Sequence, residues 1–307
     1  MVRRMKVIIG YDGTSYSDVA LNELRQAGLP RRADVMLLCA IEPMPACTAE
    51  SMMAIAHNSQ TIQAKVEKAV EEARDKLRTN FPEWMIQQQI MHGSPMIEIP
   101  RMADEWDADL IVTGTHDPSW LERLLVGSVS RSIASNAACS VRVVREHRGH
   151  HGPSARLLIG LDDSENIQAV IDKVASRQWK PGTEARLVLT AGLEPIPDSA
   201  PKPQPIGSLP GIQAAERELS AVGLNATSVI NESGKAQFVL DEADRWDADC
   251  VFVSHHNTGL FERILFGSLP ALVTGRAHCS VEIIRDHPIP RRKAVSYPKL
   301  QREVTTG

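Results

Sequence analysis

The sequence predicts two tandem α/β domains, each a five-stranded parallel sheet with helices on both faces. Three observations predict it: an internal repeat, an alternation of strand-length and helix-length segments, and strands that are apolar throughout. The repeat comes first because it sets the organisation. ERLLVGSVSRSIASNAACSVRVVR (122–145) aligns without gaps to ERILFGSLPALVTGRAHCSVEIIR (262–285), with ten of twenty-four positions identical. EWDADLIVTG (105–114) aligns with RWDADCVFVS (245–254) at the same offset of 140, and MKVIIGYDGTS (5–15) with ARLLIGLDDSE (155–165) at an offset of 150. The second copy is therefore about ten residues shorter in its middle. The matches keep their order along the chain, so the repeat is a duplication.

In the first copy KVIIGY is a strand, and a helix from about Ser17 places Val19, Leu21, Leu24 and Ala27 toward one side. DVMLLCAI (34–41) is the second strand. The long helix after it carries Ile62, Val66, Val70, Ala73 and Leu77 at helical spacing. WMIQQQIM (84–91) alternates in part, as a more exposed strand does. Ile97 to Trp106 reads as helix, LIVTG (110–114) as strand, Val129 to Asn136 as helix and VRVV (141–144) as the last strand. The second copy repeats this with RLLIGL, ARLVLT, ATSVI, CVFVS and VEII. Unbroken Val/Ile/Leu strands alternating with helices belong to parallel sheets covered on both faces. Trp106 and Trp246, like Cys139 and Cys279, recur at matching positions and read as core.

Domain one spans 1–146 and domain two 155–286, with 147–154 as linker. EPIPDSAPKPQPIGSLPG (194–211) holds six prolines and reads as an extended surface loop. Residues 287–307 carry five Lys/Arg against Glu303, a net +4 in a chain of net −4, so the other 286 residues sum to −8. This basic, proline-containing tail reads as flexible, and the overall charge gives no field that would gather nucleic acid. No run of eighteen apolar residues is present to span a membrane, and the apolar run after MVRR is too short for a signal peptide. The five cysteines lack metal-ligand spacing, which argues against a zinc site and a disulfide framework. The expected compartment is the cytoplasm.

Open parallel sheets take ligands at the carboxyl ends of their strands. The loops there are Asp12-Gly13-Thr14, the segment after Ile41, and everything between Gly114 and Ser128. Gly127-Ser128 opens a helix, where a glycine lets phosphate approach exposed amides and a serine hydroxyl adds a donor. Serine is equally a favoured N-cap residue, so a plain capped helix is the other reading. HRGH (147–150) lies in the linker rather than after a first strand, where a phosphate-holding histidine pair belongs. Gly234-Lys235 is no phosphate-binding loop, with Val229 in place of its first glycine and Ala236 in place of its Ser or Thr. No nucleophile–base pair or carboxylate dyad stands out.

On these residues the chain resembles the universal stress protein family, across nearly all of residues 5–286. Nucleotide-binding members carry glycine, two residues, glycine, nine residues, then Gly-Ser or Gly-Thr. The first copy has Gly114, Asp117 and Gly127-Ser128 in those places, flanked by Thr115, Val129 and Ser130; the second has Ser254, Asn257 and Gly267-Ser268. Asp12, before Gly13-Thr14, and Asp162, before Asp163, match the family's aspartate that contacts adenine or ribose. Ile41 ends the second strand beside that site, and Gly93 matches a small turn next to the ribose, with Gly234 as its counterpart.

The resemblance implies Rossmann-like domains of the adenine nucleotide alpha hydrolase type, and ATP or a related adenine nucleotide, with or without magnesium. It implies slow hydrolysis or autophosphorylation at most, and a role in stress response through protein partners. A carboxylate at Asp117 repels a triphosphate unless it turns outward or meets a magnesium ion, and a Cβ at Ser254 narrows the second site. The first copy is therefore the favoured site and the second the weaker one. The resemblance further implies that the last strands pair the two copies, each satisfying the other's edge, and that two chains form a homodimer. Two other functions stay open: a scaffold module that has lost nucleotide, and a nucleotide-activating enzyme. Against the enzyme stands the lack of an SGGxDS-type loop at Asp12 or Asp162.

Overall fold

The computed structural model describes residues 3–42, 49–115, 127–146, 154–161, 167–190, 209–231, 236–255 and 269–285. The first copy contributes β1 (Met5–Gly10), α1 (Ser15–Glu23), β2 (Ala33–Ile41), α2 (Ala49–Asn80), β3 (Met85–His92), α3 (Pro95–Trp106), β4 (Leu110–Gly114), α4 (Ser128–Asn136) and β5 (Ser140–Val144). The second contributes β6 (Arg156–Leu161), α5 (Ile167–Ala175), β7 (Glu184–Thr190), α6 (Leu209–Ala221), β8 (Asn225–Asn231), α7 (Gln237–Trp246), β9 (Cys250–Ser254), α8 (Leu269–Arg276) and β10 (Ser280–Ile284). All ten strands join one sheet in the order β3-β2-β1-β4-β5-β10-β9-β6-β7-β8. Neighbours within each half are parallel. The halves meet where β5 and β10 run antiparallel. The pairing of last strands expected from the sequence is the observed one.

Local chemistry moves several boundaries from where periodicity alone puts them. α1 starts at Ser15, not Ser17, because Thr14 caps it: its Oγ1 accepts from the Ser17 N–H at 3.4 Å. α3 starts at Pro95, where a first-turn proline forfeits no helical hydrogen bond. α4 starts at Ser128 rather than Val129. β3 begins one residue late because Trp84 turns into the core and donates its indole N–H to the Pro30 carbonyl at 2.9 Å. The proline-rich segment is not extended to its end, since Leu209–Gly211 form the first turn of α6, which tolerates Pro210 for the same reason as Pro95. The rest of that segment, most of the linker and the basic tail lie outside the described residues.

The repeated WDAD has one role in both halves. Asp107 and Asp247 take left-handed backbone that ends α3 and α7. Two residues on, Asp109 accepts the Lys6 N–H at 2.8 Å and Asp249 the Arg156 N–H at 2.7 Å, pinning the first strand of each copy. Trp106 and Trp246 are half-buried against the core, each with a cation on its ring, Lys6 at 5.5 Å and Arg186 at 4.3 Å.

The two faces of the sheet differ at the seam. On the face covered by α3, α4, α7 and α8, one apolar core runs unbroken through both halves, with Val141, Val143, Val281 and Ile283 at its middle. On the other face each half keeps its own core. Between these two lie buried charges: Arg142 opposite Glu282, with Glu23 and Arg177 on either side. Burial alone would raise the carboxyl of Glu282, yet Arg177 and Arg142 hold it below its ordinary 4.5. A carboxyl so depressed stabilises the fold above the unfolded value, and that contribution is lost as pH falls through the folded one. Unfolding free energy should therefore drop as the medium is acidified below about pH 4.5. Glu282→Gln should flatten that drop in urea titrations run across the acid range.

Candidate functional site

Strand order reverses between β1, which leads out to β2 and β3, and β4, which leads the other way to β5. The carboxyl ends of β1 and β4 therefore open a crevice, the place where such sheets take ligands. On the β1 side Gly13, at φ 77°, makes a turn that places Asp12 beside the start of α1. The Asp12 Oδ1 accepts both the Thr14 N–H at 3.0 Å and the Thr14 hydroxyl at 2.6 Å, and the aspartate stays exposed. At the end of β2 the Ile41 carbonyl accepts the Gly93 N–H at 3.0 Å, and the Ser94 hydroxyl donates to Glu42 Oε1 at 3.0 Å. Gly93 turns there with φ 148°.

On the β4 side, Gly114 lets α1 approach: a Cβ there would lie 2.6 Å from the Tyr16 carbonyl oxygen. The Thr115 N–H donates to the Val144 carbonyl at 3.1 Å, and its Oγ1 accepts the Gly127 N–H at 3.4 Å. Gly127 precedes α4 with no side chain capping the helix and no acid in its first turn. Among the described residues, a Cβ on Gly127 would meet nothing nearer than Thr115 Oγ1, at 3.8 Å. The crevice is thus polarised. Its β1–β2 side presents carboxylates, which suit the hydroxyls of a sugar, and its β4 side presents helix-start amides, which suit an anion.

Of the residues the sequence pointed to, Asp12, Gly13, Thr14, Ile41, Gly93, Gly114, Thr115, Gly127 and Ser128 cluster at these strand and helix ends. Ser128 is exposed, but Val129 packs against the core and Ser130 is buried, its hydroxyl donating to the Gly114 carbonyl at 2.8 Å. Asp117, and in the second copy Asp162, Asp163, Gly234, Asn257, Gly267 and Ser268, lie outside the described residues. Ser254 ends β9, 6% exposed. Sequence reasoning placed Glu42 in the ligand-facing segment after Ile41 without giving it a role, and it did not single out Ser94, because no motif carries a lone Glu or a Ser before proline. It also missed the seam charges, whose signal was present: one charge of opposite sign at the same repeat position in VRVV and VEII.

Two five-stranded parallel halves with crevices at their order reversals define a duplicated, doubly wound α/β protein. The chain belongs to the universal stress protein family, whose sequence pattern matches residues 3–145 and again 154–285. Over 148 residues it is 30% identical to universal stress protein MJ0531 of Methanocaldococcus jannaschii, an alignment covering 46% of this chain and 82% of that protein. A universal stress protein from Archaeoglobus fulgidus superposes with a TM-score of 0.67 at 16% identity, over 91% of this chain and 98% of that one. That likeness shows the fold across both halves. A universal stress protein solved in complex with cAMP is similar to 46% of this chain and spans 97% of its own, at 23% identity and a TM-score of 0.35.

Proposed function

We propose that the first copy binds an adenine nucleotide, ATP or a close relative, and that the chain acts in stress response through protein partners that sense this occupancy. The observation that carries the reading is the polarised crevice, with the Asp12 turn on one side and the acid-free, uncapped start of α4 behind Gly127 on the other. Nucleotide chemistry matches both sides: ribose hydroxyls donate to Asp12 and phosphate accepts from the α4 amides. Any ATP turnover would be slow, far below about 1 per second. Two chains would associate as a homodimer, which sedimentation of the purified protein measures directly.

Calorimetric titration of nucleotide-stripped protein with ATP and magnesium tests the ligand. Binding in the micromolar to millimolar range is expected. Gly127→Val should weaken it by about tenfold or more while leaving the melting temperature unchanged, since the added methyls point into the space phosphate would fill. No heat and no thermal shift at millimolar ATP would leave the scaffold reading in its place.

A further inference from the structure

Positions 142 and 282 are one position of the repeat, and they face each other across the antiparallel β5–β10 pair. The pseudo-twofold axis relating the copies therefore passes through this residue pair, and the copies differ there in sign of charge. Arg142 Nη1 donates to Glu282 Oε2 at 2.9 Å, with the two side chains 1% and 0% exposed. Arg142 Nε also donates to Glu23 Oε2 at 3.0 Å, and Glu282 accepts from Arg177. Arg177 is in turn anchored through Nη1 to the Ala27 carbonyl at 2.8 Å. Both guanidiniums lie near the Phe252 ring, at 6.0 and 5.4 Å. Across the seam the charges run Glu23, Arg142, Glu282, Arg177: alternating in sign, two from each copy.

Along β5 and β10 the other contacts are nearly symmetric, whereas the one-sided ones, Arg177 on the Ala27 carbonyl and the Gln178 N–H on the Gly28 carbonyl, lie off the strand pair. The Arg145 N–H donates to the Ser280 hydroxyl and its guanidinium to the Cys279 and Thr274 carbonyls. The Arg285 N–H donates to the Ser140 hydroxyl and its guanidinium to the Cys139 and Ala134 carbonyls. The apolar side is valine on valine and valine on isoleucine. All of these paired contacts would form equally well between two first copies or two second copies. The axial pair would not. Self-pairing in the same register sets Arg142 against another Arg142, or Glu282 against another Glu282, as adjoining like charges in a buried site.

We propose that the Arg142–Glu282 pair is a partner-selecting lock: the β5 edge accepts a second-copy edge, from its own chain or from another, and rejects a β5 edge. Two full-length variants, Arg142→Glu and Glu282→Arg, test this alone and co-expressed. The first also carries Val281→Cys and the second Val143→Cys, because 143 and 281 face each other across the seam. Each variant alone is expected to melt about 10 °C or more below the native chain, or to be insoluble. Co-expression is expected to restore soluble protein, because the intact Arg142 half of one chain pairs with the intact Glu282 half of the other. A disulfide-linked species of twice the chain mass then appears under non-reducing conditions. Native-like melting of either variant alone, or co-expression without rescue and without that species, would overturn the proposal.

Discussion

Glu282→Ala should lower the unfolding free energy by about 3–5 kcal/mol, the usual cost of breaking a buried, hydrogen-bonded ion pair from one side. The loss is large because two cations depend on this carboxylate. Without it, among the described residues, Arg142 keeps hydrogen bonds to Glu23 alone and Arg177 to the Ala27 carbonyl alone, and the two guanidiniums repel across the space between them. The Arg4–Asp34 pair offers a control in the same molecule. It spans 3.4 Å with side chains 41% and 35% exposed, and Arg4→Ala should cost less than about 1 kcal/mol. Urea unfolding of the two variants side by side measures the difference. Equal losses would mean that water reaches the seam.

Gly114→Ala carries the second largest expected effect, and it contrasts with Gly127→Val within one motif. The new Cβ would sit 2.6 Å from the Tyr16 carbonyl oxygen and 2.9 Å from its carbon, both backbone atoms that no side-chain rotation can clear. Either β4 or the start of α1 must shift, at a cost of about 1–3 kcal/mol. A shift of α1 takes Thr14 and the hydrogen-bonded Asp12 turn with it. Nucleotide affinity should therefore fall by about tenfold or more together with stability, whereas Gly127→Val should lower affinity alone. Thermal melts and calorimetry on the same preparations distinguish the two signatures. A Gly114→Ala chain as stable as the native one would show that α1 and β4 are less tightly joined than described.

The strands were legible because each is a short apolar run whose burial leaves little choice of structure. Val7 to Ile9 and Leu110 to Val112 lie wholly inside, and their counterparts recur in the second half. The helix starts were less so, because Thr14 and Pro95 set them by capping and by a missing N–H, neither of which appears in apolar periodicity. At the candidate site the glycines could be read from spacing, but the facing of their neighbours could not. Val129 and Ser130 sit beside Gly127 in sequence and turn inward all the same, since the helix they begin rotates successive side chains by about 100°. The seam charges were hardest. One arginine in an apolar strand has no meaning until its register against the opposite strand is known, and that register sets it against Glu282.

The apolar core that crosses the seam bears on how the two halves can diverge. Because Val141, Val143, Val281 and Ile283 pack into a single interior, neither half can be discarded without laying bare the flank of the other. A ligand crevice, by contrast, belongs to one half alone. Differences such as Ser254 against its first-copy counterpart Gly114 can therefore accumulate at one crevice while selection for folding still retains that half as a buttress. Duplication of this kind frees one pocket to drift without freeing the polypeptide that surrounds it.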